Sequence, residues 1–328
     1  MGYNSNKKES DIDMILQGYI FSVIYAVLCL LLGFVAHKIG APKKITRKLV
    51  HILIGVEWVI LHRFFIGQPL GEVHFLIVCI CFTLLLAFSH KIKLLPMISS
   101  DEDNSPGTVY YGVAMTIMAL ITLAIPEMIY PFGIGVICTS FGDGFAGLIG
   151  QLMDFPRNIK IYGNKTLFGS LSNFAVCIIA VGIFNSSFSI GLEYLHIFAV
   201  ALFAVELELF TDKGLDNITI TVGTALLSFA FVSYEETFNY IIPILFTPIM
   251  IAFAYKKNAL TLGGILSAIL VDFVISIAFG NFGFLILLLF FVLGIATDKI
   301  KKKYNKTNGK SFRRKVSKKS ECTVYMRY

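Results

Sequence analysis

Charge is scarce in this chain. Only 15% of its 328 residues are Asp, Glu, Lys or Arg, where a soluble domain carries about 25%. Tryptophan is nearly absent too, with one residue against 30 Phe. The six cysteines include no C-x-x-C pair and no zinc-ligand spacing. Five of them (Cys29, Cys79, Cys81, Cys138, Cys177) fall in apolar stretches, where cysteine behaves as a small hydrophobe. The shortage of charge excludes a soluble nucleotide-binding enzyme and a disordered regulator, and the cysteine pattern excludes a secreted disulfide scaffold. Apolar residues run in unbroken blocks instead of alternating, which excludes an outer-membrane barrel. The first twelve residues are polar and lead to no small-residue cleavage site, so no cleavable signal peptide is expected.

What the chain does have is apolar blocks long enough to cross the ~30 Å hydrocarbon core as helices. They lie near 14–36, 50–66, 73–89, 107–125, 131–150, 167–184, 188–210, 217–233, 238–255, 259–279 and 282–297. The expected fold is therefore all-α, a polytopic membrane bundle of about eleven helices. Placing the N-terminus outside puts 25 of the 28 Lys and Arg on the cytoplasmic side and leaves Lys7, Lys8 and Arg63 outside. This predicts an N-out, C-in multi-pass protein by the positive-inside rule. The expected organisation is a polar segment at 1–13, a membrane domain at 14–237, a second membrane module at 238–297 and a basic cytoplasmic tail at 298–328. The formal charge of +7 resides in that tail, which carries a net +10 against −3 for the rest. Basic residues after a final helix are ordinary topogenic charge beside anionic lipid, so no nucleic-acid partner is expected.

The remaining polar residues gather at the predicted cytoplasmic face. Arg47 and Lys48 open the second span with His51 one turn on, a cationic group suited to phosphate oxygens. Asp143 lies about two turns inside the fifth span, flanked by Gly142 and Gly144. An intramembrane carboxylate costs several kcal/mol unless paired, and marks a functional site. Gly144, Gly147 and Gly150 also form a smooth stripe for helix packing. Lys165 and Thr166 stand at the mouth of the sixth span with Gly169 beyond, an arrangement suited to an anion but not a Walker A loop, since Asn164 separates Gly163 from Lys165. Glu208, with Glu206 as a rival, and Asp216 with Asn217 complete the set. Asp143, Glu208 and Asp216 are hard oxygen ligands suited to Mg²⁺, although Asp216 is equally placed as a helix cap. Such a face suits a phosphorylated, metal-bound substrate from the cytosol meeting a lipid inside the bilayer.

At these residues the sequence resembles the CTP-dependent kinases of lipid alcohols, which comprise dolichol kinase, phytol kinase and yeast-type diacylglycerol kinase. The carriers are Arg47-Lys48-x-x-His51, Gly107-Thr108-Val109-Tyr110-Tyr111, Gly142-Asp143-Gly144-x-Ala146 with Gly150, Lys165-Thr166 with Gly169-Ser170, and Gly214-Leu215-Asp216-Asn217. Their order is closest to the bacterial phytol-kinase-like branch; Thr221 and Phe168 depart from its usual residues. The resemblance implies transfer of the γ-phosphoryl of CTP to a membrane-embedded hydroxyl with Mg²⁺. In that reading Asp143, Lys165 and His51 are catalytic, and Arg47, Lys48, Gly142, Gly144, Lys165, Thr166 and Gly169 hold the nucleotide. Asp143, Glu208 and Asp216 are the candidate metal ligands. A cytidylyltransferase making CDP-lipids and an ion-coupled transporter are the alternatives. From about residue 240 the chain resembles the start of an integral-membrane family that includes proposed phytyl-phosphate kinases. That family continues for several more helices, so a partial module is expected here.

Overall fold

The computed structural model describes residues 2–92, 106–153, 159–162, 165–211, 214–233 and, in the last part of the chain, 246–247, 250, 264, 268, 271–272, 275–276 and 279–293. The chain divides into two compact units, Met1–Ile244 and Leu245–Tyr328.

The first unit is a helix bundle. Its elements are α1 (Gly2–Lys38), α2 (Lys43–Ile54), α3 (Glu57–Phe65), α4 (Gly71–Ile92) and α5 (Gly107–Ala124). A continuous helical stretch follows, made of a 3₁₀ turn (Pro126–Met128), α6 (Ile129–Ile137), a π-helical segment (Cys138–Asp143) and α7 (Gly144–Leu152). A short antiparallel hairpin, β1 (Lys160–Tyr162) and β2 (Lys165–Thr166), leads into α8 (Leu167–Phe188), α9 (Tyr194–Phe210) and α10 (Asp216–Ser233). Six described helical stretches are long and apolar enough to cross a membrane: Glu9–Lys38, Gly71–Ile92, Gly107–Ala124, Pro126–Leu152, Leu167–Phe188 and Asp216–Ser233. The all-α, multi-pass membrane architecture expected from composition is the one observed.

The polar residues after Gly2 are continuous with the first span, since α1 runs from Gly2 to Lys38. Two expectations are corrected. The predicted span at 50–66 is two helices of 12 and 9 residues. Their junction at Gly55 packs on Ser140, where a Cβ would lie 2.4 Å from the serine Cβ. The predicted turn at Asn185–Ser187 is helical; α8 runs on to Phe188 and ends at Ser189, which takes a left-handed conformation with φ 51°. The expected spans at 238–255 and 259–279 lie largely outside the described residues. In the second unit, Phe279–Leu293 forms an apolar helix that overlaps the last expected span, 282–297.

The stretch from 126 to 152 is the most buried of the six and forms the centre of the bundle. It lets its neighbours approach where it lacks side chains. A Cβ on Gly133 would meet the Phe184 ring at 2.4 Å and Trp58 at 2.9 Å, and one on Gly135 would lie 2.2 Å from the Thr221 carbonyl oxygen of α10. Trp58 itself is 1% exposed and packs edge-on to Phe184 and Phe188. A Gly135→Val variant is expected to lose roughly 1–3 kcal/mol of stability through overpacking against rigid backbone. A thermal melt in detergent checks this, and a melting temperature equal to wild type would contradict the packing described.

Candidate active site

The polar residues meet at one end of the bundle, where α2, α5, α8 and α10 begin and α9 finishes. Asp143 closes the π-helical segment and is 3% exposed. Lys48 reaches it from α2, its ammonium 2.6 Å from Oδ2 and 3.2 Å from the Asp143 carbonyl oxygen. The lysine stem crosses Gly147 on the next turn of α7, where any Cβ would lie 2.4 Å from Lys48 Cε. The glycine at that position is what allows the pair to form. An isolated carboxylate this deep would be strongly unfavourable, and the ammonium offsets that cost.

His51 lies one turn beyond Lys48. Its Nε2 is 3.1 Å from the Thr139 carbonyl oxygen and 3.8 Å from Asp143 Oδ2. A carbonyl only accepts, so Nε2 carries the proton, and Nδ1 is the acceptor of the neutral ring. Tyr111 of α5 packs edge-on against this ring at 5.1 Å and shares a 3.0 Å hydrogen bond with Ser140. Nothing in the sequence singled out Tyr111 beyond its place in a motif, because a tyrosine in an apolar span reads as packing.

A second charge cluster lies alongside. Lys165, at the start of β2, is 2.6 Å from Glu208 Oε1 and 3.4 Å from Asp216 Oδ2. Burial by itself would lower the Lys165 pKa, but Glu208, Asp216 and Asp143 together outweigh it and hold the ammonium above the ordinary lysine range. Glu208 is thus the member of the Glu206/Glu208 pair that meets Lys165. Asn217 donates from Nδ2 to the Gly107 carbonyl oxygen at 2.8 Å, tying α10 to α5. Gly214, with φ +84°, sits so close to Gly107 that a Cβ would lie 2.4 Å from its Cα.

A cavity of about 240 Å³ joins these groups. Arg47, Lys48, His51, Asp143, Asp216 and Asn217 form its polar wall, and Tyr111 stands among them. Arg47 makes no ion pair with another described residue. Other residues expected to bind nucleotide lie elsewhere. Gly142 and Gly144 face protein, against Cys177 and Asn173 of α8 and against Ile52 of α2. Thr166 caps α8 by accepting from the Gly169 amide at 3.2 Å, and Gly169 packs on the Ala146 carbonyl. Lys165 does not line the cavity and stands behind Asp216. No group of three His, Cys, Asp or Glu among the described residues is arranged to hold a metal alone. Asp143 and Asp216 do share the cavity wall, which suits a cation that completes its shell with substrate oxygens and water.

Residues 245–322 match the family described as "Integral membrane protein DUF92". A phytol kinase from Synechocystis sp. (strain ATCC 27184 / PCC 6803 / Kazusa) is 28% identical over 196 residues, covering 58% of this chain and 80% of that relative. Over that stretch the chain is similar to a phytol kinase. No solved structure matches the chain. The structure pairs a buried Lys48–Asp143 contact with a cavity lined by charges of both signs.

Removing one partner of the Lys48–Asp143 pair should be costly. Lys48→Met is expected to destabilise the protein by roughly 3 kcal/mol, whereas Lys48→Met combined with Asp143→Leu should recover much of that loss. Melting of the two single variants and the double variant measures the coupling. Additive losses would mean that the pair contributes nothing.

Proposed function

We propose that this protein is a kinase of a membrane lipid alcohol, transferring the γ-phosphoryl group of CTP to the alcohol hydroxyl. The observation that carries this reading is the single cavity that sets Arg47, Lys48, His51 and Asp143 together beside Asp216. The kinship with a phytol kinase supports it. The acceptor is phytol, a polyprenol, dolichol or diacylglycerol. The motif order supports CTP as donor.

Phosphoryl transfer asks mainly for positioning and charge neutralisation. Arg47 has no described ion-pair partner and is suited to the outer phosphate oxygens. Lys48 is shared: in the substrate-free protein it neutralises Asp143, and an arriving phosphate competes for the same ammonium. As Lys48 turns toward the phosphate, Asp143 is left as a hydrogen-bond acceptor for the alcohol hydroxyl. The alcohol oxygen then forms a bond to the γ-phosphorus, the bond to the β–γ bridging oxygen breaks, and CDP leaves. The hydroxyl proton passes to Asp143, whose Oδ2 lies 3.8 Å from Nε2 of His51. The Thr139 carbonyl fixes the His51 ring, and Lys165 holds Asp216 and Glu208 in register. A Mg²⁺ ion, held by Asp143 and Asp216 with substrate oxygens, would supply further neutralisation of the triphosphate. The working face is then the cytoplasmic one, in the plasma membrane for a bacterial chain.

Membranes bearing the protein should move label from γ-labelled CTP into lipid phosphate when phytol is present. Asp143→Asn is expected to lower kcat/KM roughly a hundredfold or more, and Arg47→Ala to act chiefly on the nucleotide KM. Release of CDP fits a kinase, while release of pyrophosphate would mark a cytidylyltransferase. No label in any lipid alcohol, with the protein shown to be folded, overturns the reading.

A further inference from the structure

The polar cavity continues into an apolar one. A second cavity of about 210 Å³ lies among α1, α3, α4 and α5 and shares six wall residues with the first: Ala26, Leu30, Ile54, Phe82, Leu85 and Tyr111. Its α1 wall runs from Ser22 to Leu30, roughly 12 Å of helix at 1.5 Å per residue. A hydrogen bond of 2.8 Å between Tyr19 and His74 joins α1 to α4 beyond the far end of this cleft. The outer rim is open, since Val23 (64%), Val27 (58%) and Leu85 (53%) are exposed on the face a bilayer would cover.

Two polar side chains interrupt this apolar wall. Ser22 and Glu57 are 4% and 8% exposed and line the cleft from α1 and α3. The rest of the cleft is almost wholly apolar and runs into the charged cavity through the six shared residues, which suits an amphiphile with one polar end.

Resting on the kinase reading above, we propose that the cleft between α1 and α4 is the lateral entry and tail site for the lipid alcohol. The alcohol enters from the hydrocarbon side with its hydroxyl leading past Glu57 toward Asp143 and His51. The hydroxyl-proximal part of the tail stays between Val23, Val27 and Leu30 on one wall and Phe82 and Leu85 on the other. The remainder of the tail leaves through the open rim into the bilayer. Phosphorylation at the polar end and lipid exchange at the apolar end then use one continuous space.

Two measurements on the full chain test this. Phytol carrying a diazirine near its hydroxyl end, irradiated with the membrane-bound protein, should label α1 within 22–30 and α4 within 78–85. Excess phytol should displace the label and excess phosphatidylglycerol should not. Label elsewhere in the chain, or label lost equally to phosphatidylglycerol, overturns the cleft. In the second measurement, Val27→Trp or Val23→Trp, each confirmed folded by melting, should lower the ratio of phytol to prenol turnover roughly tenfold, because the short alcohol needs little of the cleft. An unchanged ratio in both variants also overturns the proposal. Labelling confined to the cleft, in a wild-type protein that phosphorylates neither alcohol, would retain the lipid site and remove the kinase reading.

Discussion

A carboxylate buried within an apolar helix bundle must find a cation, and much of this fold is arranged so that Asp143 finds Lys48. The lysine begins on a different helix, so α2 has to lie directly against α7. That approach needs no side chain at Gly147, where the lysine stem passes, nor at Gly144, where Ile52 packs. It also needs α2 to stop where it does, because Gly55 seats on Ser140 one turn before Asp143. The π-helical segment from Cys138 to Asp143 belongs to the same constraint. A wider turn re-aims backbone carbonyls, a feature common at functional sites, and the Thr139 carbonyl is the one that holds His51. One ion pair therefore ties together a helix break, two glycines and the ring orientation of a histidine.

The second cluster plays the corresponding part for the later helices. Lys165 arrives on a short β-hairpin and bridges Glu208 at the end of α9 to Asp216 at the start of α10. Counted together, Arg47, Lys48 and Lys165 balance Asp143, Glu208 and Asp216. A formally balanced set of six charges is tolerable at the edge of a membrane. It also means that an arriving polyphosphate changes the balance and must either draw Lys48 from Asp143 or bring a cation with it. Both outcomes leave Asp143 in contact with whatever enters the cavity.

Much of this was legible in the sequence, for identifiable reasons. Long apolar runs have one economical solution in a bilayer, so α4, α5 and α10 emerged near their observed limits. Asp143 stood out because a charge is rare in such surroundings, and Glu208, set ahead of Glu206 as a candidate metal ligand, is the glutamate that meets Lys165. Other features were not legible. A glycine that admits a phosphate and one that admits a neighbouring helix look identical, and Gly142, Gly144 and Gly169 proved to be of the second kind. Lys165 beside Thr166 resembled an anion cradle, yet Thr166 caps α8 and the lysine faces carboxylates. The split of α2 from α3 depends on a contact with Ser140, nearly ninety residues away, which no local pattern encodes. Tyr111 and Glu57 were missed because one polar group in an apolar helix does not reveal which cavity it faces.

The geometry of access follows from the same economy. Charges placed at one end of the bundle leave the rest of it free to be apolar. In the proposed reaction a water-soluble phosphate donor and a lipid acceptor would therefore approach the reacting atoms along different routes. The donor side is set by Arg47, Lys48 and the α10 start, all near loop ends. The acceptor side needs an opening within the hydrocarbon, and α1 supplies it by packing on α2 and α3 while α4 packs on α5. The cleft left between α1 and α4 ends at Tyr111, whose hydroxyl bonds Ser140 and whose ring touches His51. A side chain that borders both the apolar cleft and the charged cavity sits where the hydroxyl of a lipid alcohol has to stop, and substitution there is expected to disturb both routes at once.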